Sequence, residues 1–265
     1  MVDIESARSV IEKSIKVINF REEDEKYNMW VTFLNLEYKY GNSVTLEAAF
    51  KRAIQHSKGK YIYLHMTKLY SEDTSTESTV KSTINVFENS LKKYKYSKKV
   101  WLAYVLYIIN NQTTDFVAGA TPMAIANSRL KAAKVIYNRA LLSLSKHKHV
   151  FLLLQMSIGI YTYAIQNLIA IDLTLIKGKK GTEMIQNDIN GFIEYIEHGR
   201  QHFDDCLLKH PKRSDIRNIY IDQEVKVLKN IVQHMTNSNS TSTIMMNLHN
   251  SHMNTIRSLY NRALV

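Results

Sequence analysis

The chain has 265 residues, 45% of them apolar, which is enough to bury the core of one large domain or two small ones. Two prolines and eight glycines are few helix breakers for this length and indicate long helices. A single cysteine, Cys206, excludes an intramolecular disulfide, and the net charge of +11 favours polyanionic partners, either RNA or acidic protein surfaces.

A helical signature recurs six times along the chain. In each copy an aromatic residue or Ile stands three positions before a small residue, which Leu or Ile follows. The clearest copy reads Ala133-Lys134-Val135-Ile136-Tyr137-Asn138-Arg139-Ala140-Leu141. The six copies predict helices over residues 6–17, 46–55, 79–93, 124–144, 188–208 and 250–264. Since such a unit buries its apolar face only against its neighbours, the repeat predicts an all-α solenoid and argues against an enzyme built around one pocket.

A second predicted helix precedes each later signature. The first covers residues 27–40, where Trp30, Phe33, Leu34 and Glu37 share one face, and Gly41 supplies its stop. The second covers residues 60–70 and the third begins at residue 101. The fourth lies after residue 149, and the fifth follows residue 215. The sum is an opening half-repeat and about five helical pairs, which we expect to form a single domain over residues 1–265.

Four polar runs separate the predicted helices. They cover residues 71–79, 110–121, 177–182 and 236–243, and their Gly, Ser, Thr and Asn content is typical of loops. The spacing between successive signatures is larger than usual from the third copy onward. A solenoid tolerates such insertions because each repeat contacts only its neighbours.

Residues 150–171 carry no charge and are long enough to span a bilayer. Gln155, Ser157, Gln166 and Asn167 interrupt the apolar run. A buried solenoid helix has the same composition, so we expect no membrane partner.

Two segments go beyond a generic helical repeat. Residues 18–30 contain Ile18-Asn19-Phe20-Arg21-Glu22-Glu23 and end at Trp30, and residues 211–215 read Pro211-Lys212-Arg213-Ser214-Asp215. Both resemble the C-terminal half-a-TPR (HAT) region of the ribosomal RNA processing protein 5 family. The resemblance is strong over residues 2–70 and 206–222 and weak over residues 150–190 and 235–253. Arg217 stands where the family usually has Trp, so we expect the packing of the fifth pair to depart from the family's pattern.

The resemblance implies an α-α superhelical solenoid of HAT/TPR-like helical-pair repeats. It also implies a scaffold of ribosome biogenesis in the nucleus and nucleolus, engaged in pre-rRNA processing toward the small subunit. Its expected partners are pre-ribosomal proteins, with pre-rRNA as a second candidate. Full-length family members carry S1 RNA-binding domains upstream, so we expect the chain to be a C-terminal fragment. The alternative is a HAT-repeat scaffold of mRNA splicing or 3'-end processing, a pure protein-interaction module.

No catalytic motif is visible, so we expect neither an enzyme, a cofactor nor a small-molecule substrate. His198, His202 and Cys206 follow one helix face at i, i+4 and i+8 and have zinc-binding chemistry. Cys206, however, fills the small-residue position of the signature, and His202 fills a position that other copies give to Val, Ile or Leu. Packing is therefore favoured, and we expect no metal.

Basic residues concentrate near three predicted turns, where they are candidate contacts for RNA or a protein partner. The equally open alternative is scattered surface charge that maintains solubility. The clusters are Lys92, Lys93, Lys95, Lys98 and Lys99; Lys177, Lys179 and Lys180; and Lys209, Lys212 and Arg213. They are expected to form a stripe along one edge of the solenoid. The chief acidic run, residues 22–25, either complements the start of the next helix or contacts a basic partner.

Overall fold

The computed structural model describes residues 4–19, 21–72, 77–110, 122–176, 182–238 and 243–262. Within these ranges the chain forms eleven helices and no strand. They are α1 Ile4–Val17, α2 Glu23–Tyr40, α3 Ser43–His56, α4 Gly59–Glu72, α5 Glu77–Tyr94, α6 Lys98–Asn110, α7 Pro122–Ser143, α8 Lys146–Ile176, α9 Thr182–Lys209, α10 Ser214–Ser238 and α11 Thr243–Asn261. Every predicted helix is present, so the all-α prediction is confirmed.

The boundary between α2 and α3 shows how local sequence sets these limits. The N–H of Gly41 donates to the carbonyl of Glu37 at 2.9 Å and closes α2. Asn42 then caps α3, because its Oδ1 accepts from the backbone N–H of Thr45 at 2.8 Å while Thr45 Oγ1 accepts from the N–H of Asn42 at 3.0 Å. The predicted stop at Gly41 is therefore confirmed.

The polar runs at residues 71–79 and 236–243 are only partly loops. Helix α4 extends through Glu72 and α5 begins at Glu77. Helix α10 continues through Ser238, since extending a helix satisfies its backbone groups even where the residues are weak helix formers. The remaining residues of the predicted loops, at 73–76, 111–121, 177–181 and 239–242, lie outside the described residues, as does Phe20 of the first resemblance segment.

The chain divides into two compact units near the end of α6. The first unit comprises residues 1–107 with 111–115, and the second comprises residues 108–110 with 116–265. In the first unit α1 to α5 each pack on the next, and in the second unit α7 to α11 do the same. This serial packing of neighbours confirms the helical-repeat solenoid. The grouping of all repeats into one domain remains a prediction.

Small residues of the signature allow close packing in the first unit. Ala53 of α3 is fully buried beside Trp30 and Phe33 of α2, which are 1% and 5% exposed. The Trp30 ring stacks on His56 at 6.4 Å between ring centroids, and the Arg52 guanidinium lies 5.5 Å from the Trp30 centroid. The shared face predicted for α2 is thus the core face.

The same charged pair joins a signature helix to the following helix in both units. Arg8 of α1 donates through Nε and Nη2 to the two carboxylate oxygens of Glu37, at 2.7 and 2.9 Å. Arg200 of α9 donates in the same way to Glu224 of α10, at 2.9 and 3.0 Å. Two parallel bonds fix both the distance and the rotation between the paired helices.

The pair in the second unit is more deeply buried. Glu224 is 0% exposed, and it also accepts a hydrogen bond from Tyr161 Oη at 2.5 Å and lies 2.5 Å from His252 Nδ1. Burial by itself raises the pKa of a carboxyl group, but the bonds from His252 and Arg200 outweigh it and lower the pKa of Glu224 to about 2. Glu224 is therefore an ionised anchor for α8, α9 and α11.

In the described part of the chain, no helix combines the length and the apolar composition that crossing a membrane requires.

Candidate nucleic-acid interface

The first basic cluster surrounds the turn between α5 and α6. Lys92 and Lys93 lie in the last turn of α5, Lys95 lies in the connection, and Lys98 and Lys99 open α6. Lys92, Lys93, Lys95 and Lys99 are exposed and Lys98 is half-buried. The predicted placement at an inter-repeat turn agrees with the structure for this cluster.

Backbone and aromatic contacts hold this turn in one conformation. The indole Nε1 of Trp101 donates to the Lys95 carbonyl at 2.7 Å, and the N–H of Ser97 donates to the Tyr94 carbonyl at 2.9 Å. Trp101 is itself only 3% exposed, so the connection is anchored in the core of the first unit. The lysines are thus displayed from a fixed backbone.

The charges at the start of α6 are placed unfavourably for the helix alone. Cations stabilise the C-terminal end of a helix, as Lys92 and Lys93 do on α5, and each destabilises an N-terminal end by about 0.3–1 kcal/mol. Lys98 and Lys99 occupy the N-terminal end of α6. A bound anion offsets such a cost, so this placement favours a role in binding a polyanion.

The start of α4 joins this cluster. Lys99 Nζ lies 3.4 Å from the hydroxyl oxygen of Tyr61 and 5.2 Å from its ring centroid, and Lys60 Nζ lies 4.8 Å from the same centroid. The bond from Lys99 and the charges of Lys60 and Lys99 lower the pKa of Tyr61. We call Lys60, Tyr61, Lys92, Lys93, Lys95, Lys98 and Lys99 the basic edge. Tyr61 gives the basic edge an aromatic ring, the group on which nucleic-acid bases stack.

Sequence reasoning missed Lys60 and Tyr61. They precede Lys99 by more than thirty residues, and only the packing of α4 on α5 brings the start of α4 beside the α5–α6 turn. Lys58 and Lys60, on either side of Gly59, were the only local indication that this segment belongs to a basic surface. Such a pair of lysines is also common at any solvent-exposed helix start.

An acidic segment borders the basic edge. Lys58 Nζ lies 2.5 Å from a carboxylate oxygen of Asp24 and 3.6 Å from one of Glu23, both in the first turn of α2. Lys58 is therefore largely neutralised, and part of the acidic run at residues 22–25 serves this contact inside the first unit. Among the described residues, Lys92, Lys93, Lys95 and Lys99 form no such ion pair.

The other two predicted clusters stand differently. Lys177, Lys179 and Lys180 lie outside the described residues. Lys209, Lys212 and Arg213 belong to the second unit and are exposed, around the turn between α9 and α10. Their alignment with the basic edge in one stripe remains a prediction.

Arg213 is already paired. Its Nε donates to Asp215 at 3.1 Å and its Nη2 to the second carboxylate oxygen, which raises the pKa of Arg213 and lowers that of Asp215. This leaves Lys209 and Lys212 as the better candidates for an external anion in that cluster.

The helix face with His198, His202 and Cys206 is a packing surface. Cys206 is 1% exposed, and the His202 ring meets the Tyr137 ring edge-on at 6.2 Å. Burial, followed by the charge of Lys134, lowers the pKa of His202 to about 4, so its ring is neutral. Within the described ranges, no group of three or more His, Cys, Asp or Glu side chains is arranged to hold a metal ion.

The sequence is similar to named proteins along most of its length. It is 29% identical over 229 residues to the rRNA biogenesis protein RRP5 of Arabidopsis thaliana, which covers 86% of the chain and 9% of that protein. It is 25% identical over 224 residues to the protein RRP5 homolog of Mus musculus, covering 84% of the chain and 9% of the relative. The rRNA biogenesis protein rrp5 of Schizosaccharomyces pombe is 26% identical over 84% of the chain and 10% of its own length. No family model matches the sequence.

Proposed function

The chain is a region of the RRP5 family, spanning about a tenth of the length of its relatives, and from this premise we propose that it is a non-enzymatic scaffold of ribosome biogenesis. In this proposal it binds pre-ribosomal proteins on its helical surface and pre-rRNA through the basic edge, in the nucleolus. The names of the relatives favour this role over a scaffold of mRNA splicing or 3'-end processing. The RNA-processing step is the one that leads to the small subunit.

The basic edge is the observation that carries the RNA contact. Lys99 of the turn between α5 and α6 contacts Tyr61 of α4, beside Lys60. Lys98 and Lys99 stand at the start of α6, where a bound anion offsets the unfavourable interaction of a cation with the helix dipole. A solubility surface needs neither this convergence nor an aromatic ring. Phosphates would contact the ammonium groups, and an unstacked base would lie on Tyr61.

The salt dependence of RNA binding tests this contact. Single-stranded RNA should bind with an affinity that falls as salt rises, with a slope of about −0.7 in log K against log salt for each phosphate neutralised. Reversing Lys92, Lys93 and Lys99 to Glu should reduce the size of that slope by about 2 and weaken binding at low salt.

A matched control reverses the same number of charges elsewhere. Lys13, Lys39 and Lys68 are exposed lysines of the first unit outside the basic edge, and their replacement by Glu gives the same net charge. We expect the control to keep most of the slope. Equal losses in the two variants would show that net charge alone attracts RNA and would contradict the basic edge.

The identity of the RNA is a separate test. Capture of the full-length protein, followed by sequencing of the RNA cross-linked to it, should recover pre-rRNA from the small-subunit region. Recovery of pre-mRNA or spliceosomal RNA instead would support the alternative scaffold.

A further inference from the structure

A groove of about 990 Å³ opens among α9, α10 and α11 in the second unit. Its walls carry three guanidinium groups, from Arg217, Arg257 and Arg262, and one carboxylate, from Asp204. Its apolar lining comes from Leu207, Leu208 and Pro211, and Leu208 is 80% exposed. The groove therefore combines aliphatic surface with an excess of positive charge.

The position of Arg217 on α10 has an equivalent on α2 of the first unit, and a tryptophan occupies it there. Trp30 precedes Glu37 by seven residues, and Arg217 precedes Glu224 by seven. Because Glu37 and Glu224 make the same paired bonds to Arg8 and Arg200, Trp30 and Arg217 occupy equivalent positions on α2 and α10. Trp30 is 1% exposed, whereas Arg217 lines the groove.

The residues around the two positions also correspond. Arg52 of α3 lies over Trp30 and pairs with Glu12 of α1 at 2.9 Å. Arg262, at the same place in the last signature, pairs with Asp204 of α9 at 3.6 Å. The charged pair beside this position therefore recurs while Arg217 stands in place of the aromatic side chain, and the groove lies at the position equivalent to that of the indole in the first unit.

Two of the three arginines are available to an external anion. Arg262 is partly neutralised by Asp204. Among the described residues, Arg217 and Arg257 form no ion pair. Charge complementarity therefore requires a negatively charged occupant.

We propose that this groove binds a short acidic peptide segment of a partner protein. An aromatic side chain of the segment occupies the space that Trp30 fills in the first unit, and its carboxylates pair with Arg217 and Arg257. A peptide is favoured over RNA because the described residues of the groove lining include aliphatic side chains and no aromatic ring on which a base could stack. This proposal rests on the proposed scaffold function, for which it names a class of partner. The binding site itself lies in the second unit alone.

Binding of a designed probe tests the chemistry of the occupant. The probe is a fluorescein-labelled peptide with a single Trp between glutamates, and its fluorescence anisotropy is measured against the whole chain. We expect binding that falls at least about tenfold when Ala replaces the Trp or when Lys replaces the glutamates, since each change removes one of the two recognition elements. Equal binding of the three peptides, or no binding of the first, would overturn the proposal.

Filling the groove tests its location. Arg217→Trp places an indole where the partner's aromatic side chain should lie and should weaken probe binding at least about tenfold, with an unchanged circular dichroism spectrum. Lys226→Trp, which adds an indole to an exposed position of α10 outside the groove, is the matched control and should bind the probe normally. If Arg217→Trp fails to fold, Arg257→Glu gives the same test by charge. Unchanged binding in the folded variant would overturn the proposal.

The two proposals fail separately. The basic-edge variant should lose RNA binding and keep probe binding. Its RNA affinity therefore tests the proposed function and leaves the peptide proposal untouched. The peptide proposal is wrong, and the groove is a nucleic-acid site, if single-stranded RNA competes with the probe and the Arg217→Trp substitution lowers the affinity for that RNA.

Discussion

The first three helices and the last three are built on the same set of charged contacts, but they use it in different surroundings. Arg8–Glu37 and Glu12–Arg52 tie α1, α2 and α3 together, and Arg200–Glu224 and Asp204–Arg262 tie α9, α10 and α11. The signature therefore encodes more than apolar packing. It also encodes which charged groups meet when two repeats stack.

The two copies differ in burial. Arg8 and Arg200 each bond at 2.6 Å to a glutamate three residues earlier, Glu5 and Glu197. The Arg8 side chain is 26% exposed. Arg200 is 10% exposed in its side chain, and its partner Glu224 receives further bonds from α8 and α11. The same residues thus form a partly solvated contact in one unit and a buried polar network in the other, and the energetic consequences should differ.

The largest difference in unfolding free energy between the two charged pairs should appear when the carboxylate of each pair is removed. Glu224→Ala removes two of the bonds to the Arg200 guanidinium, which keeps its bond to Glu197, and leaves the Tyr161 hydroxyl buried without its acceptor. It should cost about 3–5 kcal/mol of unfolding free energy. Glu37→Ala should cost less, because the Arg8 side chain is 26% exposed and water can replace the lost acceptor, whereas the Arg200 side chain is 10% exposed. Urea denaturation measures both losses. Equal losses would show that burial does not distinguish the two pairs.

The glycine of the fifth signature copy provides the next test. A Cβ on Gly199 would lie 2.6 Å from a ring carbon of Tyr161, which is fully buried and holds Glu224. Gly199→Ala should therefore cost about 1–3 kcal/mol through overpacking, although Ala is the better helix former. Ala7 stands at the equivalent place in α1, so Ala7→Gly is the control and should cost only the propensity difference, about 1 kcal/mol. Stabilisation by Gly199→Ala would contradict the close contact.

Acid should weaken the second unit through Glu224. Its pKa is lowered on folding, so the stability it contributes is complete above about pH 5 and is lost as the pH falls toward its folded pKa of about 2. At pH 3 the loss should be on the order of 2 kcal/mol relative to pH 7. Comparison of urea unfolding at the two pH values in the wild type and in Glu224→Gln isolates this contribution, because the amide does not titrate. The same acid sensitivity in the variant would assign it to other groups.

Restoring the aromatic residue should produce the smallest change. Arg217→Trp fills part of the groove and should raise the unfolding free energy by about 0.5–2 kcal/mol, as cavity-filling substitutions commonly do. Thermal unfolding of Arg217→Trp against Lys226→Trp measures the gain. Destabilisation by Arg217→Trp alone would show that the groove is not equivalent to the Trp30 position.

The helices could be predicted from sequence because the signature repeats in register and because Trp30, Phe33 and Leu34 share a face at helical spacing. The packing role of Cys206 and His202 was also predictable, since other copies hold small or apolar residues in those positions. Both conclusions depend only on comparing one stretch of the chain with another, which a repeat makes possible.

The remaining contacts depend on which side chains of packed helices meet, and no local pattern in the sequence reveals those pairings. Tyr161 reaches Glu224 across 63 residues of chain, and it occupies no signature position. Tyr61 joins the lysines of the α5–α6 turn only through the packing of α4 on α5. The recurrence of Arg8 and Arg200 in the signature was a usable signal for the charged pairs, but nothing local distinguishes a buried pair from an exposed one.

The basic edge and the groove at Arg217 should bind different ligands, nucleic acid at the first and an acidic peptide at the second. Chemical-shift mapping of the isotopically labelled chain tests this directly, with single-stranded RNA and the glutamate–Trp peptide titrated in turn. RNA should shift the resonances of Lys60, Tyr61 and the α5–α6 turn, and the peptide should shift those of Leu207, Leu208 and α11. Shifts of the same residues by both ligands, or a basic edge left unperturbed by RNA, would contradict two separate binding surfaces.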